Sequence, residues 1–135
     1  MNKVDFFLHL AFLLILFSLI MQVFSYCIFK KNERKYVELI SEFRRRDLDL
    51  DIVTNIYSFL GPLFNANKIV YFIDLYNGKE MKLAKGKPVS KNAYNFIQSQ
   101  PKENISWMLR LHNLNLISFF LLFLGVGIGL IVGLI

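Results

Sequence analysis

Two stretches of the chain hold no charged side chain: residues 6–29 and residues 114–135. Each is long enough to cross a bilayer as a helix, which takes ~20 apolar residues at about 1.5 Å per residue. Between them lies one charged segment, from Lys30 to Arg110. This pattern predicts an all-α membrane protein. Transmembrane helices over 6–29 and 111–135 flank a small, mainly helical cytoplasmic domain over 30–110. Residues 1–5 form a short external tail.

Within the charged segment, Tyr36, Val37, Leu39, Ile40 and Phe43 fall on one broad helical face between Glu33 and Arg46,. No Gly or Pro intervenes before Gly61, so this helix is expected to continue the first span as one rod. Asp47, Asp49 and Asp51 interrupt the pattern. One of them is expected to cap a short helix in which Val53, Ile56, Tyr57 and Leu60 keep helical spacing. Gly61-Pro62 ends it, because proline lacks a donor and disfavours helical geometry in the residue before it.

Residues 69–84 carry two readings. Ile69, Phe72, Ile73 and Tyr76 fit a helix face. The same run is rich in β-branched and aromatic residues and is followed by Asn77-Gly78, a strong hairpin signal, so a short β-hairpin over 69–84 stays open. Further on, Ser90 is placed to cap a helix with Ala93, Phe96 and Ile97 inward. Pro101 and Glu103 mark the start of a last long helix, whose face of Ile105, Met108, Leu109 and His112 would dock on the others.

Composition sharpens the topology. The chain has 135 residues, a formal charge of +6 and one cysteine. Residues 30–110 hold fifteen of the sixteen Lys and Arg and nine of the ten acids. Segments rich in Lys and Arg stay on the cytoplasmic side, which places 30–110 in the cytoplasm and both termini outside. The first apolar run is longer than the roughly 7–15 residues of a signal peptide's core, and a basic cluster follows it, so an uncleaved anchor is expected. Cys27 has no partner for an internal disulfide and reads as a small apolar filler.

Three groups of residues are candidates for function. Gly125, Gly129 and Gly133 recur every four residues, a smooth stripe that lets another helix approach closely. The stripe serves equally for packing on the first span and for a second copy or another membrane protein. Gln22 and Ser118 lie at matched depths, so a Gln22–Ser118 or Gln22–Asn115 hydrogen bond between the spans is expected. Lys30, Lys31, Arg34 and Lys35, then Arg44, Arg45 and Arg46, are the densest charge. The first four suit anionic lipid headgroups, at ~1 kcal/mol each when close to the surface. The arginine triplet suits a protein partner or solvent, with the neighbouring aspartates as its counter-charges.

Other chemistry is not indicated. Asp47-x-Asp49-x-Asp51 begins like a calcium loop, but Ile52 stands where glycine is required and Ser58 where the bidentate Glu belongs,. There is no zinc spacing, no phosphate loop and no nucleophile elbow. No metal, cofactor or catalytic residue is expected, and the interspersed acids argue against nucleic acid.

The layout, with Asn67-Lys68-Ile69-Val70-Tyr71-Phe72-Ile73 at its centre and Phe59-Leu60-Gly61-Pro62-Leu63-Phe64 before it, resembles the universal stress protein B family of small bacterial inner-membrane proteins. The family's His- and Arg-rich stretch before the second span is missing here, and residues 78–101 are longer. The resemblance implies a stress-linked protein of the inner membrane with no assigned catalytic residue, and it favours helix over hairpin after Ile69. The expected function is structural or regulatory, exerted through helix–helix and protein–protein contacts. The alternatives are an accessory subunit of a transport or secretion complex and, third, a holin-like pore former.

Overall fold

The structure, a computed structural model, describes residues 2–133, the side chain of Ala84 excepted. Five α-helices follow in order: α1 (Lys3–Arg45), α2 (Ile52–Tyr57), α3 (Asn65–Tyr76), α4 (Lys91–Gln98) and α5 (Lys102–Gly133). Short 3-10 turns at Pro62–Phe64 and Ala84–Gly86 join them. At about 1.5 Å per residue, α1 is ~65 Å long and α5 ~48 Å, both longer than a ~30 Å hydrocarbon core. The chain divides into two compact units. One comprises residues up to Ser25 and from Asn113 onward; the other is Tyr26–His112.

In the terminal unit, the first part of α1 packs on the last part of α5. Its exterior is apolar: Phe12, Phe17, Val23 and Phe24 on α1, and Phe120, Phe123, Leu130 and Ile131 on α5, are exposed. Only 17% of the most apolar window of each helix is buried. A core helix of a soluble protein would be mostly buried. Both helices are therefore long and apolar enough to cross a membrane, and their surfaces want an apolar solvent.

The central unit has one hydrophobic core. Phe29, Tyr36, Leu39, Ile40 and Phe43 of α1 meet Ile69, Phe72 and Leu75 of α3, Ala93, Phe96 and Ile97 of α4, and Ile105, Met108 and Leu111 of α5. The rings interlock at edge-on angles: Phe43 lies 5.6 Å from Phe72 and 5.8 Å from Phe96, and Phe29 lies 5.9 Å from Trp107,. Tyr36 donates to the Lys68 carbonyl at 3.2 Å, and Phe72 sits between Tyr36 and Phe43. So α3 runs alongside α1 in the same direction.

Residues 69–76 are helical, and the hairpin alternative is overturned. Among the described residues there is no strand, only an isolated antiparallel bridge between Lys82 and Pro88. The reason is burial. As a helix, the run buries Ile69, Tyr71, Phe72, Ile73 and Leu75 on α1 and α4. Asn77-Gly78 then acts as a helix stop. Gly78 takes φ +72°, its N–H donates to the Leu75 carbonyl at 3.1 Å, and Lys79 N–H donates to the Asp74 carbonyl at 3.0 Å. That pair of bonds closes a helix C-terminus at a left-handed residue.

Caps set the other boundaries. The Asp51 carboxylate accepts from Thr54 N–H at 2.8 Å, and the Ser90 hydroxyl accepts from Ala93 N–H at 3.4 Å,. In α2 it is Thr54 that is buried, while Ile52, Val53 and Ile56 are exposed, as are Phe59, Leu60 and Leu63 beyond its end. The cap at Asp51 and the bonds from Arg44 to Asn55 Oδ1 (3.1 Å) and Ser58 Oγ (2.8 Å) hold the helix's polar side toward α1.

Candidate functional site

The seam between the two long helices is built from small and polar side chains. Seen along α1, Ala11, Ser18 and Ser25 recur every seven residues and are buried. Ile15 and Gln22 interleave with them, which gives the alternating spacing of a coiled-coil face,. Asn115, Ser118 and Gly125 supply the matching face of α5.

Gly125 is the point of closest approach. A Cβ added there falls 2.9 Å from Ile15 Cγ1, 3.1 Å from Leu14 Cβ and 3.1 Å from the Ala11 carbonyl oxygen. Gly129 is looser, with Ala11 Cβ at 3.9 Å from such an atom, and Gly133 has no described neighbour within 4 Å. Among the described residues, the glycine stripe is thus engaged by α1 at Gly125 and open at Gly133.

The polar ladder lies on the same seam. Gln22 Nε2 donates to Ser118 Oγ at 2.7 Å. Ser118 Oγ donates to the Ser18 carbonyl at 3.1 Å, and Ser18 Oγ donates to the Ser118 carbonyl at 2.9 Å. Asn115 pairs instead with Ser25, whose hydroxyl donates to its Oδ1 at 2.5 Å. Of the two partners expected for Gln22, the structure supplies Ser118. Sequence reasoning missed Ser18 and Ser25, although their seven-residue repeat with Ala11 was a usable signal. Hydroxyls that bond across to the facing backbone satisfy themselves without exposing a polar group to lipid.

The basic residues fall into two sets. Near the start of the central unit, Lys30 pairs with Glu33 at 3.4 Å and Arg34 with Glu38 at 3.2 Å, both at the surface. Lys31 and Lys35 turn toward α5. The arginine triplet is occupied at home, but its acid partner is Glu42 and not the aspartates. Arg45 and Arg46 reach Glu42 at 2.5 Å and 2.9 Å, and these two guanidiniums hold its carboxyl down at about 2. Arg44 stacks on Phe59 at 5.2 Å, and Arg46 on Phe96 at 4.9 Å,. Asp51 caps α2, Asp47 takes φ +54° at the end of α1, and Asp49 pairs with Lys87 at 3.2 Å.

Among the described residues, one cation is buried in the central unit. Lys68 is 4% exposed, and its Nζ stands 5.1 Å from the Phe29 ring centre and 5.4 Å from that of Tyr36. Burial lowers its pKa, against the opposing pull of Glu33. Nothing in the spacing of the sequence marked it. Among the described residues, no three His, Cys, Asp or Glu side chains gather where a metal ion could be held. No protein-family model matches the chain, and neither curated proteins nor solved structures offer a match.

Proposed function

We propose that this chain is a small integral membrane protein that spans the bacterial inner membrane twice. Its termini lie outside and its basic helical unit lies in the cytoplasm. Its role is structural or regulatory, exerted through helix and protein contacts and without chemistry of its own. One observation carries this reading: the terminal unit turns small and polar side chains inward and Phe and Leu outward. That polarity suits lipid and is wrong for water. The resemblance to the universal stress protein B family adds a stress-linked setting.

A second reading, an accessory subunit of a larger transport or secretion complex, is favoured by the apolar strip Ile52, Ile56, Phe59 and Leu63. These side chains are exposed on an otherwise charged unit, with Phe59 and Leu63 at 77% and 76%,. The pore reading is disfavoured, because the seam's polar groups close on one another. Alkaline extraction of native membranes, followed by crosslinking, tests the proposal. The protein should stay with the membrane pellet and crosslink to itself or to one stoichiometric partner. Release into the alkaline supernatant would overturn it.

A further inference from the structure

We propose that a groove between α1 and α5 in the central unit binds the phosphate headgroup of an anionic phospholipid, an inference that rests on the two-span reading above. The groove has a volume of about 460 Å³. Lys31 and Lys35 enter it from α1, and Arg110, Ser106 and Glu103 from α5, with Trp107 as one wall.

Its charge is uncompensated. Three cations face one carboxylate. Lys35 donates to the Glu103 backbone carbonyl at 3.4 Å, and the balance of three cations to one acid leaves the groove net positive. Lys31 and Arg110 are exposed and form no ion pair or hydrogen bond among the described residues. An arginine fork with two ammonium groups around it matches the non-bridging oxygens of a phosphodiester, and the Ser106 hydroxyl adds a neutral donor.

Its position selects a lipid over a free anion. Lys30 is the first charge after residues 6–29, and Arg110 is the last before residues 114–135. Both helices therefore leave their charge-free stretches at this groove, where the headgroup layer begins. The Trp107 indole is edge-on to Phe29 and gives its N–H to the Asn104 carbonyl at 2.9 Å. An apolar wall beside a phosphate site at this depth suits the glycerol and upper acyl region of a lipid.

The test is native mass spectrometry of the full chain released from a neutral detergent. The probes are phosphatidylglycerol, phosphatidylcholine and inorganic phosphate, each added separately. Phosphatidylglycerol should be retained over phosphatidylcholine by about tenfold or more, and K31Q/R110Q should erase that preference. K85Q, a surface lysine elsewhere, should leave it unchanged. Equal retention of the two lipids, an equal loss in K85Q, or displacement of phosphatidylglycerol by millimolar phosphate would each overturn the site. Those failures leave membrane retention on alkaline extraction intact, so they are separable from failure of the two-span reading.

Discussion

The carbonyl oxygen of Ala11 lies 3.1 Å from where a side chain at Gly125 would begin. A backbone atom cannot rotate away, so even a methyl group forces α1 and α5 apart. Gly125→Ala should destabilise the hairpin by about 1–3 kcal/mol, as overpacking does in a filled core. Gly129→Ala, whose new atom meets Ala11 Cβ at an ordinary 3.9 Å, should stay within about 0.5 kcal/mol. Thermal unfolding in one detergent compares them, and equal effects at the two glycines would contradict the seam.

Ser18 and Ser118 bond to each other's backbone. A double-mutant cycle with Ser18→Ala and Ser118→Ala should give a coupling of roughly 0.6 kcal/mol, the average for hydrogen bonds between membrane helices. Ser118→Ala should also weaken the response to Gln22→Leu, because Gln22 then has no hydroxyl to meet. Additivity within error would mean that the ladder contributes nothing.

The two long apolar helices were legible in the sequence, because charge-free runs are one-dimensional signals; of the glycine stripe, only Gly125 meets α1 closely. The spacing left the cap open among Asp47, Asp49 and Asp51, and the structure assigns it to Asp51, whereas Lys30 and Arg110 needed no tertiary information. Residues 69–76 did need it, since β-branched and aromatic side chains fit either a strand or a buried helix. Burial on α1 decided between them, and Gly78 could end either element. The facing of α2 was likewise out of reach. Helical spacing around Val53 and Ile56 was legible, but the contacts of Arg44 with Asn55 and Ser58 decide that this face turns outward. Lys68 was invisible, because its surroundings, Phe29 and Tyr36, come from 32 or more residues away.

Lys68 is held with a lowered pKa by burial. The folded state then releases its proton more readily than the unfolded chain, whose value is near 10.5. Its protonated form costs stability below the folded pKa, and that cost lifts as pH rises toward the unfolded value. The stability of the native chain relative to Lys68→Met should therefore climb over that alkaline window. At neutral pH the two should differ by less than about 1 kcal/mol, since contacts with two rings offset desolvation. A flat difference curve in chemical denaturation would contradict the assignment.

Glu42 titrates in the opposite window. Arg45 and Arg46 lower its carboxyl from 4.5 to about 2, so its stabilising effect is present above 4.5 and lost as pH falls toward 2. The protection of the Arg46 and Leu48 amides, whose N–H groups bond back to the Glu42 and Phe43 carbonyls just past the end of α1, should fall over that range in the native chain once intrinsic exchange is divided out. In Glu42→Gln it should stay flat. Identical acid profiles would show that the pair does not order this turn.

The claim beneath all of these is that the chain crosses a membrane twice with its basic centre on the cytoplasmic side. Single cysteines at Asn2 and Lys85, each in a Cys27→Ser background, report it directly through a membrane-impermeant maleimide on sealed vesicles. Asn2→Cys should react only in right-side-out vesicles and Lys85→Cys only in inverted ones. Reaction of both positions from the same side, or of Lys85→Cys from the outside, would contradict the account.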